Sequence, residues 1–476
     1  MKKLVFLFFA ISIVFSGVAQ KKIIGLTADA RVKESFNVVD KETGNFAVFL
    51  EENDYVRGFL FDKNYNEIGR IKATDLPSKF KTFIGYQVKG SKINLFMNTQ
   101  NGRSYGIMIF DFKTGFSHVQ ELDFKLKGEI FIVSISSNNT FYLFSIPKNS
   151  SQINIYEFNE NLTPILHEIK FKENAFLDRR DRPIKLNKFI FKRDAISGKL
   201  SIVTGKIEHN APNSIEITSK KFKLYHFENK VTFTSDRYNE FTYLITIDLD
   251  NYKFSTKRVL KPSFDGSRLG LKSNSFLFDN TLFQIICNTK QLRLRMVDIA
   301  TEKIVKEYSL MKEETFYFKN TAIILEGGDF DKYRELDKTA QFLRKISQAN
   351  AGISVYKQNK VYEITFGSSL DKPDNPYIII GATVGGIGGV LIVASFNTLT
   401  STFNGYTNTK SVRVTGLFDD DFNHIEGRIQ KNPFDKIKEY YERNKNIRAQ
   451  TIFKNNDDFI YGFYKQNQDL YEVIKF

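Results

Sequence analysis

A hairpin-like unit recurs along almost the whole chain of 476 residues, and this repetition limits the folds available to it. Each copy has a short apolar strand, a polar turn that often begins with aspartate, and a second strand with alternating polarity. The copies span residues 59–71, 107–124, 153–171, 189–207, 243–260, 292–310, 353–366 and 459–476. Repetition of one small unit predicts neighbours that bury each other's apolar faces.

The spacing of these units indicates their architecture. Successive turns lie roughly 40–60 residues apart, close to the length of one four-stranded propeller blade, and the last gap equals about two such periods. The irregular hairpin at 411–429 lies within that gap. The pattern therefore resembles β-propellers as an architecture, without a Trp-Asp dipeptide or a kelch double glycine. It predicts an all-β propeller of seven or eight blades, and a pair of β-sandwich domains is the alternative.

In this scheme each hairpin supplies the two outer strands of a blade. Less polar runs, such as 45–50 and 141–146, supply the inner strands. The 47 phenylalanines and 22 tyrosines, with no tryptophan, also favour sheet structure. We expect blades over 20–370, an apolar segment at 371–410, and a C-terminal helix with closing strands over 411–476.

Two segments have helical spacing instead. In 333–348, Leu336, Ala340, Leu343 and Ile346 lie near one face of a predicted helix. A second helix is predicted after Asn432, which is a suitable N-cap residue followed by Pro433 at the first helical position. Both helices are expected to pack on the outside or at one end of the β-domain.

The N-terminus has the features of a cleavable secretory signal. Lys2 and Lys3 precede an uncharged apolar run over 4–15 and the small-residue sequence 16–19. We predict cleavage between Ala19 and Gln20, so that residues 1–19 are the signal peptide. A retained anchor helix is the alternative, but the run is shorter than the roughly 20 residues that a membrane span needs. The expected location is the periplasm or the outer cell surface.

The charge balance indicates the kind of partner. The formal net charge is +15, or +13 once Lys2 and Lys3 are removed. Anionic partners are attracted at long range by such a charge. Because nucleic acid is not expected outside the cytoplasm, an envelope protein or glycan is the predicted partner; a lysine-rich solvated surface is the alternative. The single cysteine, Cys287, excludes an intramolecular disulfide.

Residues 377–396 form an uncharged, glycine-rich stretch of 20 residues, long enough to cross a bilayer as a helix. Gly381, Gly385 and Gly389 would share one face of that helix and allow close contact with another helix. A buried hairpin, a buried helix and a membrane-touching loop are the alternatives. A span would separate the C-terminal hairpin from the other strands, which favours these alternatives.

Motifs for chemistry are sparse. The five histidines have no metal-site spacing, and no nucleophile elbow, P-loop or dinucleotide fingerprint is present. Alternating oxygen donors at Asp419, Asp421 and Asn423 indicate a possible structural calcium site, and no other cofactor is expected. His424 stands where a calcium loop of the EF-hand type requires glycine, so a solvated turn is the alternative. The acids of 326–331 form a weaker patch of the same kind.

Three functions are compatible with these features. The first is a non-catalytic propeller of the cell envelope that binds a protein or glycan. The second is a hydrolase acting on carbohydrates or peptides through channel carboxylates such as Asp419, Asp421 and Glu426. The third is a single-pass membrane protein that assembles through the glycine face of 377–396. The sequence identifies no catalytic residue with certainty.

Overall fold

The computed structural model describes residues 21–74, 79–80, 82–99, 102–193, 200–201, 204–264, 270–327, 333–370, 398–407, 410–444 and 446–476. Within these ranges the chain forms seven sheets of four or five strands and one two-stranded sheet. The seven sheets are the blades of a β-propeller, and the propeller prediction is confirmed. We number them in chain order and describe each blade from the central channel outwards.

The first three blades are simple four-stranded antiparallel meanders, in which each strand pairs with the next one along the chain. Blade one has β2 (Val32–Val39), β3 (Phe46–Glu52), β4 (Tyr55–Phe61) and β5 (Glu67–Ala73). Blade two has β6 (Thr82–Lys89), β7 (Lys92–Asn98), β8 (Tyr105–Asp111) and β9 (Phe116–Leu122). Blade three has β10 (Glu129–Ser137), β11 (Thr140–Pro147), β12 (Gln152–Phe158) and β13 (Pro164–Lys170).

Blades four to six depart from this plan to different degrees. Blade four adds β16 (Thr204–Ile207), parallel to β17 (Phe222–Phe227), before β18 (Lys230–Ser235), β19 (Phe241–Asp248) and β20 (Phe254–Leu260). Blade five has β21 (Lys272–Phe278), β22 (Thr281–Cys287), β23 (Gln291–Asp298) and β24 (Ile304–Met311). Blade six has β27 (Asn350–Gln358), β28 (Val361–Ser369), β29 (Ser411–Phe418), β25 (Ile323–Glu326) and β26 (Arg334–Leu336).

Blade seven closes the ring with strands from both ends of the described chain. It comprises β30 (Ile447–Asn455), β31 (Asp458–Lys465) and β32 (Leu470–Lys475), with the N-terminal β1 (Lys21–Thr27) as its outermost strand. Lys22 Nζ donates to Glu472 at 2.7 Å across this pair. Arg57 of β4 in blade one donates to the carbonyl oxygen of Thr27 at 2.9 Å, so the closing strand is also tied to the next blade.

The cores lie between neighbouring blades, where aromatic side chains pack face to face. Phe36 of β2 stacks on Phe49 of β3 at 4.9 Å, and Phe96 of β7 stacks on Phe141 of β11 at 4.0 Å, the latter joining blades two and three. Gly85 in β6 makes room for this packing, since a Cβ there would lie 2.4 Å from the Phe141 ring. The abundant phenylalanine side chains therefore pack in the space between neighbouring sheets.

Within the described ranges, five helices interrupt the strands: α1 (Leu186–Ile190), α2 (Ile215–Thr218), α3 (Thr339–Ile346), α4 (Thr398–Thr407) and α5 (Pro433–Arg443). The α5 helix confirms the second helix prediction. Asn432 caps it by accepting from the Asp435 N–H at 3.0 Å, and Phe434 and Ile437 are buried. The 333–348 prediction was too long, because 334–336 pairs as β26 on the edge of blade six and the helix begins only at Thr339.

Part of the central channel is filled by the chain itself. We call residues 204–219 together with α4 the channel plug. From β16 the plug passes through a buried stretch into α2, which contacts β27 and β28 of blade six, while α4 packs on β30 of blade seven. Gly352 of β27 allows the close approach, since a Cβ there would lie 3.1 Å from the Ile215 carbonyl oxygen.

Three of the predicted hairpins have a different role from the expected one. Segment 189–207 is no outer hairpin: it contains the end of α1, the short pair β14 (Lys192–Arg193) and β15 (Leu200–Ser201), and β16 beside the channel. Segment 353–366 lies in β27 and β28, the innermost pair of blade six. Segment 459–476 supplies the middle strands of blade seven, because β1 takes the outer place.

Several sequence predictions lie outside the described residues. These are the signal peptide with its cleavage site at Ala19 and Gln20, the apolar stretch 377–396 with Gly381, Gly385 and Gly389, and most of the acidic patch at 326–331. In the described parts of the chain, none of the helices has the length and apolar character needed to cross a membrane. Among the described residues, Ser369 of β28 pairs directly with Ser411 of β29.

A buried ionic cluster joins blades four and five. The carboxylate of Asp236 lies 2.8 Å from Lys223 Nζ and 2.8 Å from Lys261 Nζ, and all three side chains are fully buried. Thr242 and Ser275 also donate to this carboxylate, each at 2.8 Å. Burial alone would raise the pKa of Asp236, but the two lysines hold it well below its usual range.

We expect Asp236→Ala to lower the free energy of unfolding by about 3–5 kcal/mol, because two buried ammonium groups lose their counter-charge. Urea denaturation followed by circular dichroism measures the loss. Asp457→Ala, at an exposed carboxylate, is the matched control and is expected to change stability by less than about 0.5 kcal/mol. Equal effects of the two substitutions would contradict this account of the cluster.

Candidate functional site

A cavity of about 590 Å³ lies in the part of the channel that the plug leaves open. Its walls are β2, β6, β10, β17 and β30 of five blades, together with β16, the loop after it and the start of α4. The exposed residues Lys41, Asn210 and Phe227 mark its mouth. Its ionisable lining residues are Lys41, Tyr86, Lys206, Glu208, His209, His226, Glu228 and Lys454. We call this space the channel cavity.

Three turns shape the mouth of the channel cavity. Asn138 and Asn139 form the turn between β10 and β11 with φ of 44° and 60°, values that asparagine tolerates better than most residues. The Asn139 amide donates to Asp40 Oδ1 at 2.7 Å, which ties this turn to the turn after β2. The Ser137 hydroxyl donates to the carbonyl oxygen of Glu228 at 3.1 Å, in the turn after β17. Blades one, three and four are thus joined at the rim.

Two lysines of separate strands line the cavity. Lys206 Nζ, on β16, donates to the carbonyl oxygen of Ser134 at 2.9 Å, and burial lowers its pKa to about 8 while Glu208 acts in the opposite direction. Lys454 Nζ, on β30, donates to the carbonyl oxygen of Asn210 at 2.7 Å, and burial lowers its pKa as well. Carbonyl oxygens orient both ammonium groups, and Glu208 acts on the pKa of each lysine in the direction opposite to burial.

The two histidines of the cavity are uncharged at neutral pH. Burial, more than the nearby lysines, lowers the pKa of His226 to about 4, and burial also lowers the pKa of His209. The His209 ring packs against Phe227 at 3.9 Å between ring centres, and on its other side against Phe278 at 5.5 Å. Phe227 is 49% exposed, so an apolar ring stands at the mouth of a largely polar cavity.

Ser137 and His226 are close but are poorly arranged for nucleophilic catalysis. Their Oγ and Nε2 atoms are 2.9 Å apart. The direction of this hydrogen bond depends on the tautomer of His226. Because burial lowers the pKa of His226 to about 4, its ring is a weak general base at neutral pH, and the pair is poorly suited to nucleophilic catalysis.

The residues of the predicted calcium site lie elsewhere, in the turn that follows β29. Asp419 Oδ1 accepts from the backbone N–H of Asp421 at 3.0 Å and of Asn423 at 2.7 Å, while Asn423 Oδ1 accepts from Lys306 Nζ at 2.7 Å. Over the described residues no cluster of three or more acidic, histidine or cysteine side chains is arranged to hold a metal ion. The calcium site stays a prediction. Glu426 lies in the same turn region, and these acids do not line the channel cavity.

A second, smaller cavity of about 70 Å³ lies between the plug, blade six and the residues that cap α5. Glu363 of β28 lines it, together with Tyr406, Arg413 and Asn432. Burial, with a smaller contribution from Asp435, raises the pKa of Glu363 to about 7. Arg413 does not pair with Glu363 because it forms an ion pair with Glu326.

Glu363 should make the stability of the protein depend on pH. Its pKa in the folded state is raised from 4.5 to about 7. The stabilisation that its protonated carboxyl gives to the folded state is therefore complete below pH 4.5 and is lost as the pH rises through 7. The neutral side chain of Glu363→Gln avoids this loss. We expect the free energy of unfolding of the variant, relative to the wild type, to be about 1–3 kcal/mol higher at pH 8 than at pH 5. Urea unfolding at both pH values measures this. The exposed Glu442→Gln is the control, and a difference independent of pH would refute the prediction.

The sequence carried no signal for the channel cavity. Its lysines come from three separate parts of the chain, and none of them has another lysine or arginine next to it in the sequence. Segment 189–207 follows the hairpin pattern in the sequence, and only the parallel pairing of β16 with β17 shows that the chain turns into the channel there.

Comparisons with known proteins show no close relative. No protein-family model matches this chain, and no curated protein sequence is significantly similar to it. Among solved structures, the Dos1 propeller is 10% identical with a TM-score of 0.34, covering 96% of this chain and 95% of its own. The WD40 domain of SCAP from fission yeast is 8% identical with a TM-score of 0.30, and the match covers 96% of this chain and 97% of that domain.

A protein of Bacteroides ovatus assigned as a dipeptidyl aminopeptidase IV is 9% identical, with a TM-score of 0.33 over 88% of this chain. This chain spans only 50% of the length of that protein. At such identities and TM-scores no activity is transferred. The class of this protein, a seven-bladed β-propeller, rests on its own sheets and its own closure in blade seven.

Proposed function

We propose that this chain is a non-catalytic, ligand-binding β-propeller of the cell envelope. The channel cavity carries the proposal: five blades converge on it, and the plug makes it a cavity of about 590 Å³. Ligand sites in proteins commonly have volumes of roughly 300–1,000 Å³, with a few oriented polar groups. A glycan of the envelope is the proposed class of partner.

The polar groups of the cavity support binding more than catalysis. In the pair of Ser137 and His226, burial lowers the pKa of the histidine to about 4, which makes it a weak base for a serine nucleophile. Of the carboxylates that line the cavity, Glu228 is exposed in a turn, and Glu208 lies beside the lysines. Hydrogen-bond donors that are held in fixed positions on the cavity wall can bind a ligand without taking part in a reaction.

The proposed location in the cell envelope rests on the predicted N-terminal signal peptide. We expect the full-length chain, expressed in a Gram-negative host, to be exported and to begin at Gln20 in the mature form, because Ala19 presents a small side chain to the signal peptidase. Intact mass of the protein from osmotic-shock fluid and from membranes measures the cleavage. A Leu7→Arg variant, which interrupts the apolar run, should stay uncleaved. An uncleaved wild-type chain would contradict export by this signal.

Filling the cavity should abolish binding. Thr398, at the start of α4, lines the cavity, and Thr398→Trp would place a large ring in it. We expect labelled wild-type protein to bind members of an array of bacterial envelope glycans, and Thr398→Trp to lose at least about tenfold in affinity for them. Titration calorimetry on the strongest member gives the affinity.

Ser255→Trp is the matched control, since Ser255 is exposed on β20 at the outer edge of blade four. It should bind as the wild type does. Circular dichroism and the melting temperature verify that both variants are folded. If Thr398→Trp binds every glycan as strongly as the wild type, the channel cavity is not the binding site.

A further inference from the structure

The smaller cavity lies against one face of blade six, where strand pairing brings its polar groups together. Ser354 and Tyr356 of β27 and Glu363 and Thr365 of β28 all line it. Tyr356 lies directly opposite Glu363 in the sheet, and Ser354 lies opposite Thr365. The Cβ atoms of directly opposite residues are about 4.5–5.5 Å apart, and alternate residues of one strand lie about 7 Å apart on the same face. These four side chains therefore form one patch of the size of a small organic group.

Glu363 is a charged group of this patch without a counter-charge. Within the described residues its carboxylate has no hydrogen bond and no ion pair. Arg413, the cation of the lining, lies opposite Gly367, which is about 13 Å further along β28. Arg413 Nη1 forms an ion pair with Glu326 and donates to Ser411 Oγ at 3.2 Å. Because burying an ionised carboxylate without a partner costs free energy, a positive charge that entered the cavity would stabilise it.

The hydroxyl groups of Ser354 and Tyr356 also lack partners. Neither has a hydrogen bond in the part of the chain that the structure describes. The remaining polar side chains of the lining bond to other groups of the protein: Asn213, Ser214, Thr365, Tyr406, Ser411, Arg413, Thr415 and Asn432. One carboxylate and two hydroxyl groups are therefore left to bind a ligand.

Three acceptors beside one negative charge match the chemistry of a primary ammonium group, which has a positive charge and three hydrogen-bond donors. A calcium ion fits less well, because it takes roughly six to eight oxygen ligands and the lining has a single carboxylate. We propose that the smaller cavity binds a small primary amine, whose ammonium group donates to Glu363, Ser354 and Tyr356. This site is separate from the channel cavity, since the two linings share no residue.

The dimensions of the cavity limit the ligand to few atoms. One water molecule needs roughly 10–15 Å³, so a cavity of about 70 Å³ admits about five groups of that size. Tyr356, Glu363 and Tyr406 are each partly exposed, so the cavity is not sealed from solvent. Gly405 of α4 keeps the opposite wall close, because a Cβ there would lie 2.8 Å from Ser214 Oγ. An ammonium group on a chain of about three carbons fits this space.

The probe is n-propylammonium chloride, and n-propanol is its uncharged counterpart of the same size. Titration calorimetry with the wild-type protein at pH 8 should give a dissociation constant of about 1 mM or lower for the amine, and at least about tenfold weaker binding of the alcohol. Glu363→Gln keeps the shape of the side chain but not its charge, and should weaken amine binding by at least about tenfold. Tyr356→Phe removes one acceptor and should weaken it by about threefold or more.

Glu442→Gln is the matched control, because it removes a carboxylate that is exposed on α5. It should bind the amine as the wild type does. Circular dichroism and the melting temperature verify that all three variants are folded at pH 8.

Amine binding should also strengthen by at least about tenfold between pH 5 and pH 8, because Glu363 loses its proton near pH 7. The charged and titratable groups of the elements packed around this cavity are Tyr356, Arg413, Glu326, Glu216, Tyr406, Asp435 and Lys438. The pKa values of Tyr356 and Tyr406 are raised by burial, and two cations hold that of Glu326 below its usual range. These three groups therefore keep their charge between pH 5 and pH 8.

Equal binding of the amine and the alcohol would overturn the assignment, and so would equal effects of Glu363→Gln and Glu442→Gln. Absence of amine binding to the wild type at about 10 mM would overturn it too. If potassium chloride competes as strongly as n-propylammonium chloride, the site takes cations in general and the assignment to an amine fails.

Discussion

The pairing of β1 with β32 is the interaction on which the rest of the structure depends. It joins residues such as Lys22 and Glu472, which are 450 positions apart, into one sheet. A ring of blades has no free sheet face once it is closed, and this pairing adds Ile24 and Leu26 to the core between blades seven and one. Arg57 extends the link from the closing strand to blade one. Without it, the inner faces of blades one and seven would meet water.

Closure of the ring also determines how much of the central channel remains open. Seven blades leave more space at the axis than their own inner strands fill, and the chain uses part of it for the plug. The plug contacts blade six through α2 and blade seven through α4, and the space that it leaves open, walled by blades one, two, three, four and seven, is the channel cavity. The cavity is thus a consequence of an incomplete filling, and its lysines come from the elements that border it.

The local pattern of the chain was enough to identify most outer hairpins. Blades one, two, three, four and five contain the predicted pairs at β4–β5, β8–β9, β12–β13, β19–β20 and β23–β24. Prediction failed where pairing is not local. At 189–207 the strand β16 pairs in parallel with β17 at the channel, and in blade six a long insertion separates β28 from its partner β29.

The sequence by itself determined the all-β class, the blade period, the capped helix after Asn432 and the expectation of a secretory signal, because each of these is encoded in neighbouring residues. Tertiary structure alone decided the closure by β1, the plug and the convergence of Lys41, Lys206 and Lys454. The physical reason is distance along the chain. Residues such as Lys454 and Asn210, 244 positions apart, meet only when every blade between them has found its place in the ring.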